Sequence, residues 1–235
     1  ANQYFWLKRT LENSTAKFKF VFAHHLIGGS GGSEARGGKT YAPYYEWGGL
    51  NTNGTYGFAT QRPGWPAPIQ DLLISNKVQV FFHGHDHLFV KENHDANNDS
   101  ITDLVYQEVP QPSRVAATTN AATGYGYTNS LVLGNSGHLR VTVTSSNAVV
   151  EYVRVFLSAN ETASNTNRMV SYAYTIPAGV SDSVGGGIPD WWRARYFGGN
   201  GSTTNNASAA TSDIDNDGLT TLQEYLADTD PTNKI

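Results

Sequence analysis

Two short apolar runs that both close on histidine constrain this chain more than any other feature. The first, FKFVFAHH at 18–25, alternates Phe18, Phe20 and Phe22 with Lys19, Val21 and Ala23 and stops at His24 and His25. The second, KVQVFFHGHDH at 77–87, carries Val78, Val80, Phe81 and Phe82 into three His, one Gly and one Asp. Short runs rich in aromatic and β-branched residues read as strands. Open α/β sheets bind ligands at the carboxyl ends of their strands, so two strands that end on imidazole point to one site. His85 and His87 stand two apart, and an extended segment turns both rings to the same side. Gly84 permits a sharp exit from the strand. Neutral imidazole ligates Zn, Mn and Fe. A hydrogen-bonded polar cluster, or plain surface histidines, is the alternative that the spacing leaves open.

The rest of the chain places these runs in a β-rich frame. QYFWLKRTLE at 3–12 sets Phe5, Trp6 and Leu11 at helical spacing and closes at Asn13-Ser14. A long Gly-, Tyr- and Asn-rich loop covers 26–64. Loops of that length in compact domains are usually functional or disordered. Its aromatic residues, Tyr41, Tyr44, Tyr45, Trp47, Tyr56 and Phe58, with Trp65 just beyond, either cover the histidine site or pack the loop onto the body. Pro68 opens a short helix, PIQDLLISN. Strand-like segments recur at 88–92, 101–109, 130–134, 138–145 and 148–157, with HDANNDS and TSSNA as hairpin turns. Three segments follow from the composition: 1–157; a linker or extra strand over 158–186; and a different, acidic module over 187–235. The expected fold class is α/β (α+β), with strands predominating.

Charged residues make up 15% of the chain, against about 25% in an average protein. The net charge is −4 and no basic patch is present, which argues against a nucleic-acid partner. No apolar run reaches the roughly 18 residues of a membrane span. Cysteine is absent, excluding disulfides and thiolate ligands. Few lysines, many Asn, Thr and Tyr, and no Cys suit a secreted or cell-surface bacterial protein. The chain opens on ANQYFW without an initiator Met or a signal peptide.

Three stretches together, FWLKRTLENSTAKFKFVFAHH, PIQDLLISNKVQVFFHGHDH and SGHLRVTVTSSNAVVEYVRV, resemble the C-terminal half of calcineurin-like metallophosphoesterases, in particular the purple-acid-phosphatase-like and alkaline-phosphodiesterase-like branches. The resemblance covers about residues 3–157. It implies half of a two-sheet sandwich flanked by helices. It implies that His24 and His85 bind one metal and His87 the other, in a binuclear Fe, Zn or Mn centre that hydrolyses phosphate esters. In such a centre the metals bind hydroxide and stabilise both the attacking and the leaving oxygen. His83 has no role in that pattern, and Asp86 fills a variable position. The family's Asp-x-His, Gly-Asp-x-x-Asp and Gly-Asn-His motifs do not occur in these 235 residues. The bridging carboxylate is therefore absent, and three neutral imidazoles leave two divalent ions uncompensated. The expectation is a fragment, inactive alone, whose partner is the missing N-terminal half or another copy of the chain.

Other histidines read as structural: His94 as turn surface and His138 as the start of a strand. Asp95, Asn97 and Asp99 imitate a calcium loop, but Ser100 replaces the Gly and Tyr106 stands at the twelfth position. Arg114 reads as solvated surface or a phosphate contact.

The acidic module carries the most specific local signal. DIDNDGLTTLQE, from Asp213 to Glu224, fits D-x-[DN]-x-[DN]-G-x5-E throughout. Ligands for one Ca2+ would come from Asp213, Asp215, Asp217, the Leu219 carbonyl, Thr221 and Glu224, with Gly218 making the turn. Leu222, Tyr225 and Leu226 are expected to pack the following helix inward. SDSVGGGIPDWW upstream resembles a thrombospondin type 3-like or dockerin-like repeat, but Val184 and Gly186 replace acidic positions, so a second site is not expected.

Three functions compete. One is a secreted phosphoesterase of which this is a part. The second is a non-catalytic, calcium-stabilised extracellular scaffold or adhesion protein. The third is a hydrolase with one metal held by all three histidines.

Overall fold

The computed structural model describes residues 2–24, 37–96, 98, 102–112, 122–128, 130–134, 136–177, 182–199, 201–227 and 229–234. His25 and Arg114 lie outside them, as do Asn97 and Asp99. The chain divides into two compact units, Ala1–Ile176 and Pro177–Ile235.

The first unit has an α/β architecture built on two sheets. Strands β1 (Phe20–Ala23), β2 (Val80–His83), β3 (Phe89–His94), β4 (Leu104–Glu108) and β5 (Leu131–Leu133) form a mixed sheet in the order β1-β2-β4-β3-β5. β1, β2 and β4 run parallel; β3 is antiparallel to β4 and β5. Strands β6 (Gly137–Val143), β7 (Asn147–Arg154) and β8 (Val170–Pro177) form a second sheet in that order. β8 falls inside 158–186, the segment left open between linker and strand. Helices α1 (Asn2–Glu12), α2 (Tyr45–Gly48), α3 (Phe58–Gln61) and α4 (Ile69–Ser75) complete the unit.

β2 shows why its run is apolar throughout rather than alternating. Val80 and Phe82 face a core shared with Val105, Ala148, Val150 and Ile176, so they pack toward the three-stranded sheet. Phe81 faces the other way, into a core with Tyr4, Leu11, Trp47, Leu72, Leu73 and Tyr106 from the helical side. A strand buried on both faces has no solvent side to make polar. Phe89 stacks on Tyr152 with ring centroids 4.7 Å apart, joining the sheets. Leu73 is fully buried in the helical-side core. Leu73→Ala should lower unfolding free energy by about 2–5 kcal/mol, the range for a buried Leu that leaves a cavity, read as an earlier cooperative melt of the first unit.

The structure refines three of the sequence readings. In α1 the buried stripe is Tyr4, Leu7 and Leu11, spaced i, i+3 and i+7, whereas Phe5 and Trp6 are exposed. The aromatic loop is partly a packing device: the Trp47 indole N–H donates to the Tyr106 hydroxyl at 3.0 Å, which donates to Gln70 at 2.7 Å. His94 is not turn surface. It ends β3, half buried, with its ring 5.8 Å from that of Tyr106, and burial pushes its imidazole below its ordinary pKa.

The second unit holds helices α5 (Asp190–Phe197) and α6 (Thr221–Ala227). Trp192 and Ile188 are buried, and Tyr225 meets Trp192 edge-on at 5.6 Å. Tyr225 and Leu222 pack as expected, with Leu222 against the Gly187 backbone. Leu226 does not: it is 73% exposed, because the seven-residue α6 turns it away from Trp192. Among the described residues no helix is long and apolar enough to cross a membrane.

Candidate metal sites

The parallel register between β1 and β2 brings the histidine ends together. Ala23 pairs with His83, so the next residues, His24 and Gly84, lie side by side. A Cβ at position 84 would stand 3.3 Å from His24 Nδ1, so glycine leaves room for that imidazole. The His24 and His85 rings face each other at 5.6 Å in an edge-to-face arrangement. His24, His85 and His87 are exposed and line a common cavity of about 460 Å3, together with Phe22, Gln111 and Pro112. His85 and His87 face the cavity while Asp86 between them is buried, although the backbone here is a bend and not the extended segment that the i, i+2 rule assumes. Both histidines pay for this in backbone conformation, with φ of +100° and +61°.

His83, to which the sequence assigned no role, is almost fully buried and lines the floor of the same cavity. Its Nδ1 lies 2.7 Å from Glu108 Oε2 in an ion-pair contact that lacks hydrogen-bond alignment. Both side chains are essentially inaccessible. Glu108 Oε1 accepts the Asp86 backbone N–H at 2.9 Å, and Asp86 Oδ2 accepts from the Tyr127 hydroxyl at 2.8 Å and from Gly37 N at 3.2 Å. The signal that could have found Glu108 is a charged residue closing an otherwise buried strand, LVYQE.

No Asp or Glu among the described residues lines the histidine cavity. Among the described residues, His24, His85 and His87 do not bring three donor atoms within 4.8 Å of one another. One ion held by all three would need these side chains to come closer together, and no described carboxylate bridges them. The residues fit the imidazole share of a metal centre and not a complete one.

A larger cleft of about 990 Å3 adjoins the same histidines. Phe22, Ala23, His24 and His85 belong to both cavities, and Trp6, Trp47, Trp65 and Arg62 form the far wall. Arg62 pairs with Glu46 at 2.8 Å and lies over the Trp65 ring. Of the aromatic loop only Trp47 and the adjacent Trp65 reach this cleft, and Tyr56 is exposed elsewhere.

In the second unit, Asp213, Asp215 and Asp217 place carboxylate oxygens within 4.8 Å of one another. The loop is wound by its own backbone: Asp217 N and Gly218 N donate to Asp213, and Leu219 N donates to Asp217. Gly218 has φ +100°, where a side chain would be strained. Glu224 is fully buried, and neither carboxylate oxygen has a hydrogen-bond partner; Asp215 Oδ2 is also buried without one. Burial and then the charges of Asp215, Asp217 and Asp213 push the Glu224 carboxyl up to about 7. Thr221 opens α6 with its hydroxyl donated to the Ser212 carbonyl at 2.9 Å. A buried acidic side chain with no partner beside three aspartates is an arrangement that could hold a cation.

The upstream loop is built differently. Asp182 accepts Gly185 N and Gly187 N, and the buried Arg193 guanidinium stands 3.6 Å from it. An internal cation therefore already faces Asp182, in keeping with the missing acidic positions at 184 and 186.

A scan against protein-family models finds no match to this chain, and a search of curated proteins finds none. Among solved structures, the purple acid phosphatase PPD1 from yellow lupin (Lupinus luteus) seeds is similar, with a TM-score of 0.42 and 14% identity. The match covers 76% of this chain and 28% of that enzyme, so the chain spans little more than a quarter of its length.

Proposed function

We propose that this chain carries the imidazole half of a binuclear, metal-dependent phosphoesterase site. The observation that carries the reading is the meeting of His24, His85 and His87 in one cavity at the ends of two adjacent parallel strands. His24 and His85 would hold one ion and His87 the second, in line with the sequence resemblance. When bound, two such ions supply a hydroxide nucleophile and offset the charge that develops on the phosphoryl oxygens. The chain's own residues orient the imidazoles and offer the adjoining cleft, with Arg62 and the Trp6, Trp47 and Trp65 rings, to the organic part of the ester. The carboxylates that a complete centre needs would come from a segment outside these 235 residues or from a second chain. The test is elemental analysis with intact mass on one sample. About two transition-metal equivalents plus one calcium would support a completed centre. Calcium alone at the mass of 235 residues would leave the histidines as a half-site without esterase activity.

The second unit would bind one Ca2+ through Asp213, Asp215, Asp217, the Leu219 carbonyl, Thr221 and Glu224. The buried, unpartnered Glu224 supports this. Millimolar calcium suits an extracellular setting. The same two observations, an acid-free histidine cavity and a ready calcium loop, favour a second reading: a calcium-stabilised extracellular scaffold in which the phosphoesterase half does no chemistry. Retention of calcium with no affinity for Zn2+ or Co2+ would decide for it.

A further inference from the structure

The turn that presents His85 and His87 is strained, and something must hold it. A non-glycine residue with positive φ places its Cβ against the backbone carbonyl, and such residues persist only where their surroundings over-determine them. Here two occur within three positions, at His85 and His87. The residue between them, Asp86, is tied at both ends: its backbone N–H to Glu108 Oε1, its carboxylate to the Tyr127 hydroxyl and Gly37 N. Glu108 sits where β2, β4 and β3 meet, in register with His83 on one side and Val90 on the other. One fully buried carboxylate thus contacts both the last residue of β2 and the middle of the turn.

We propose that Glu108 is a positioning residue for the histidine site, with Tyr127 as its second clamp, and that together they hold His85 and His87 in the left-handed backbone that turns both imidazoles into the cavity with His24. Glu108 is not a substitute for the missing bridging carboxylate. It is buried on His83 and does not line the cavity. Its effect on a metal is indirect, through the turn, in the way that groups outside the coordination sphere tune ligand orientation. The metal part of this inference rests on the proposed phosphoesterase reading; the backbone part does not.

The test uses the full chain with four variants: Glu108→Gln, Glu108→Met, Tyr127→Phe and His138→Gln as a control on an exposed β6 position. Two readouts keep the inferences apart. The first is the metal-free 1H–15N spectrum of the histidine rings. The second is Co2+ affinity with its visible absorption. Tyr127→Phe deletes one hydroxyl and should shift the His85 and His87 signals while His138 stays fixed. Glu108→Met should shift them further, and Glu108→Gln, which keeps an acceptor for the Asp86 amide, should restore part of the difference. Co2+ binding should weaken about 10–100-fold in the order Met above Gln, with an altered absorption band. Unchanged His85 and His87 signals in both Tyr127→Phe and Glu108→Gln would overturn the positioning role. If the parent chain binds no Co2+, the phosphoesterase reading fails while the ring spectra still decide the positioning. If the Glu108 variants do not fold, Tyr127→Phe decides alone.

Discussion

Calcium added to the chelator-treated protein should raise the melting temperature of the second unit by about 10–20 °C. Binding to the folded state alone contributes about 2.7 kcal/mol when calcium is a hundredfold above its Kd, and in a unit of this size about 1 kcal/mol moves the midpoint by about 4–8 °C. The physical source is Glu224. Without a cation its carboxylate is buried among three aspartates with nothing to bond. Glu224→Gln should therefore abolish the calcium response and also raise the metal-free melting temperature, because it removes an uncompensated buried charge. The two effects have opposite signs, which an ordinary structural glutamate would not show. The pH dependence follows from the raised carboxyl, about 7 in place of 4.5. The folded unit then holds more protons than the unfolded chain between those values, so metal-free stability falls as pH rises from about 4.5 to 7 and levels off above. Calcium needs the ionised form, so its affinity should climb with pH over the same window. Calorimetry at pH 5, 6, 7 and 8, with and without calcium, checks all of this. A melt indifferent to calcium at pH 8 would remove the site from the second unit.

The second large effect concerns the histidine cavity. Zn2+ or Co2+ should bind the chain with fewer than two equivalents, since no carboxylate among the described residues lines the cavity. His85→Ala should weaken that binding by at least the 10–100-fold that loss of an indirect metal partner costs, because it deletes a ligand itself and the ring that faces His24. His24→Ala should do the same, and His138→Gln should do nothing. Isothermal titration with each variant is the measurement. Equal affinities across the set would mean that bound metal sits elsewhere, and the imidazoles would be left as an exposed polar cluster.

The mistaken expectations share a cause. Phe5, Trp6 and Leu11 were picked out at helical spacing in α1, yet the buried stripe is Tyr4, Leu7 and Leu11. With this many aromatic residues in one short helix, several stripes satisfy the same period. Leu226 lies one residue after Tyr225, which meets Trp192, and is exposed; α6 is too short for the pattern to choose between faces. His94 looked like turn surface because its neighbours are Asn and Asp, but its ring meets Tyr106 from the next strand. For Leu226 the error concerns which neighbour a residue meets; for His94 it also concerns where a strand ends.

What the sequence by itself determined is what neighbouring residues settle among themselves. The strands around His24 and His85 and the twelve-residue acidic loop with its turn at Gly218 are all local. They follow from a repeat of two or from one backbone position that favours glycine. Only the tertiary structure decided that β1 lies beside β2 in the register that sets His24 against Gly84. It alone placed Glu108 and Tyr127, 22 and 41 residues away in the chain, on either end of Asp86. Periodicity tells which face of a strand is buried, but the partner that covers it is set by packing across closed loops, where many residues of similar size and polarity would satisfy the same pattern.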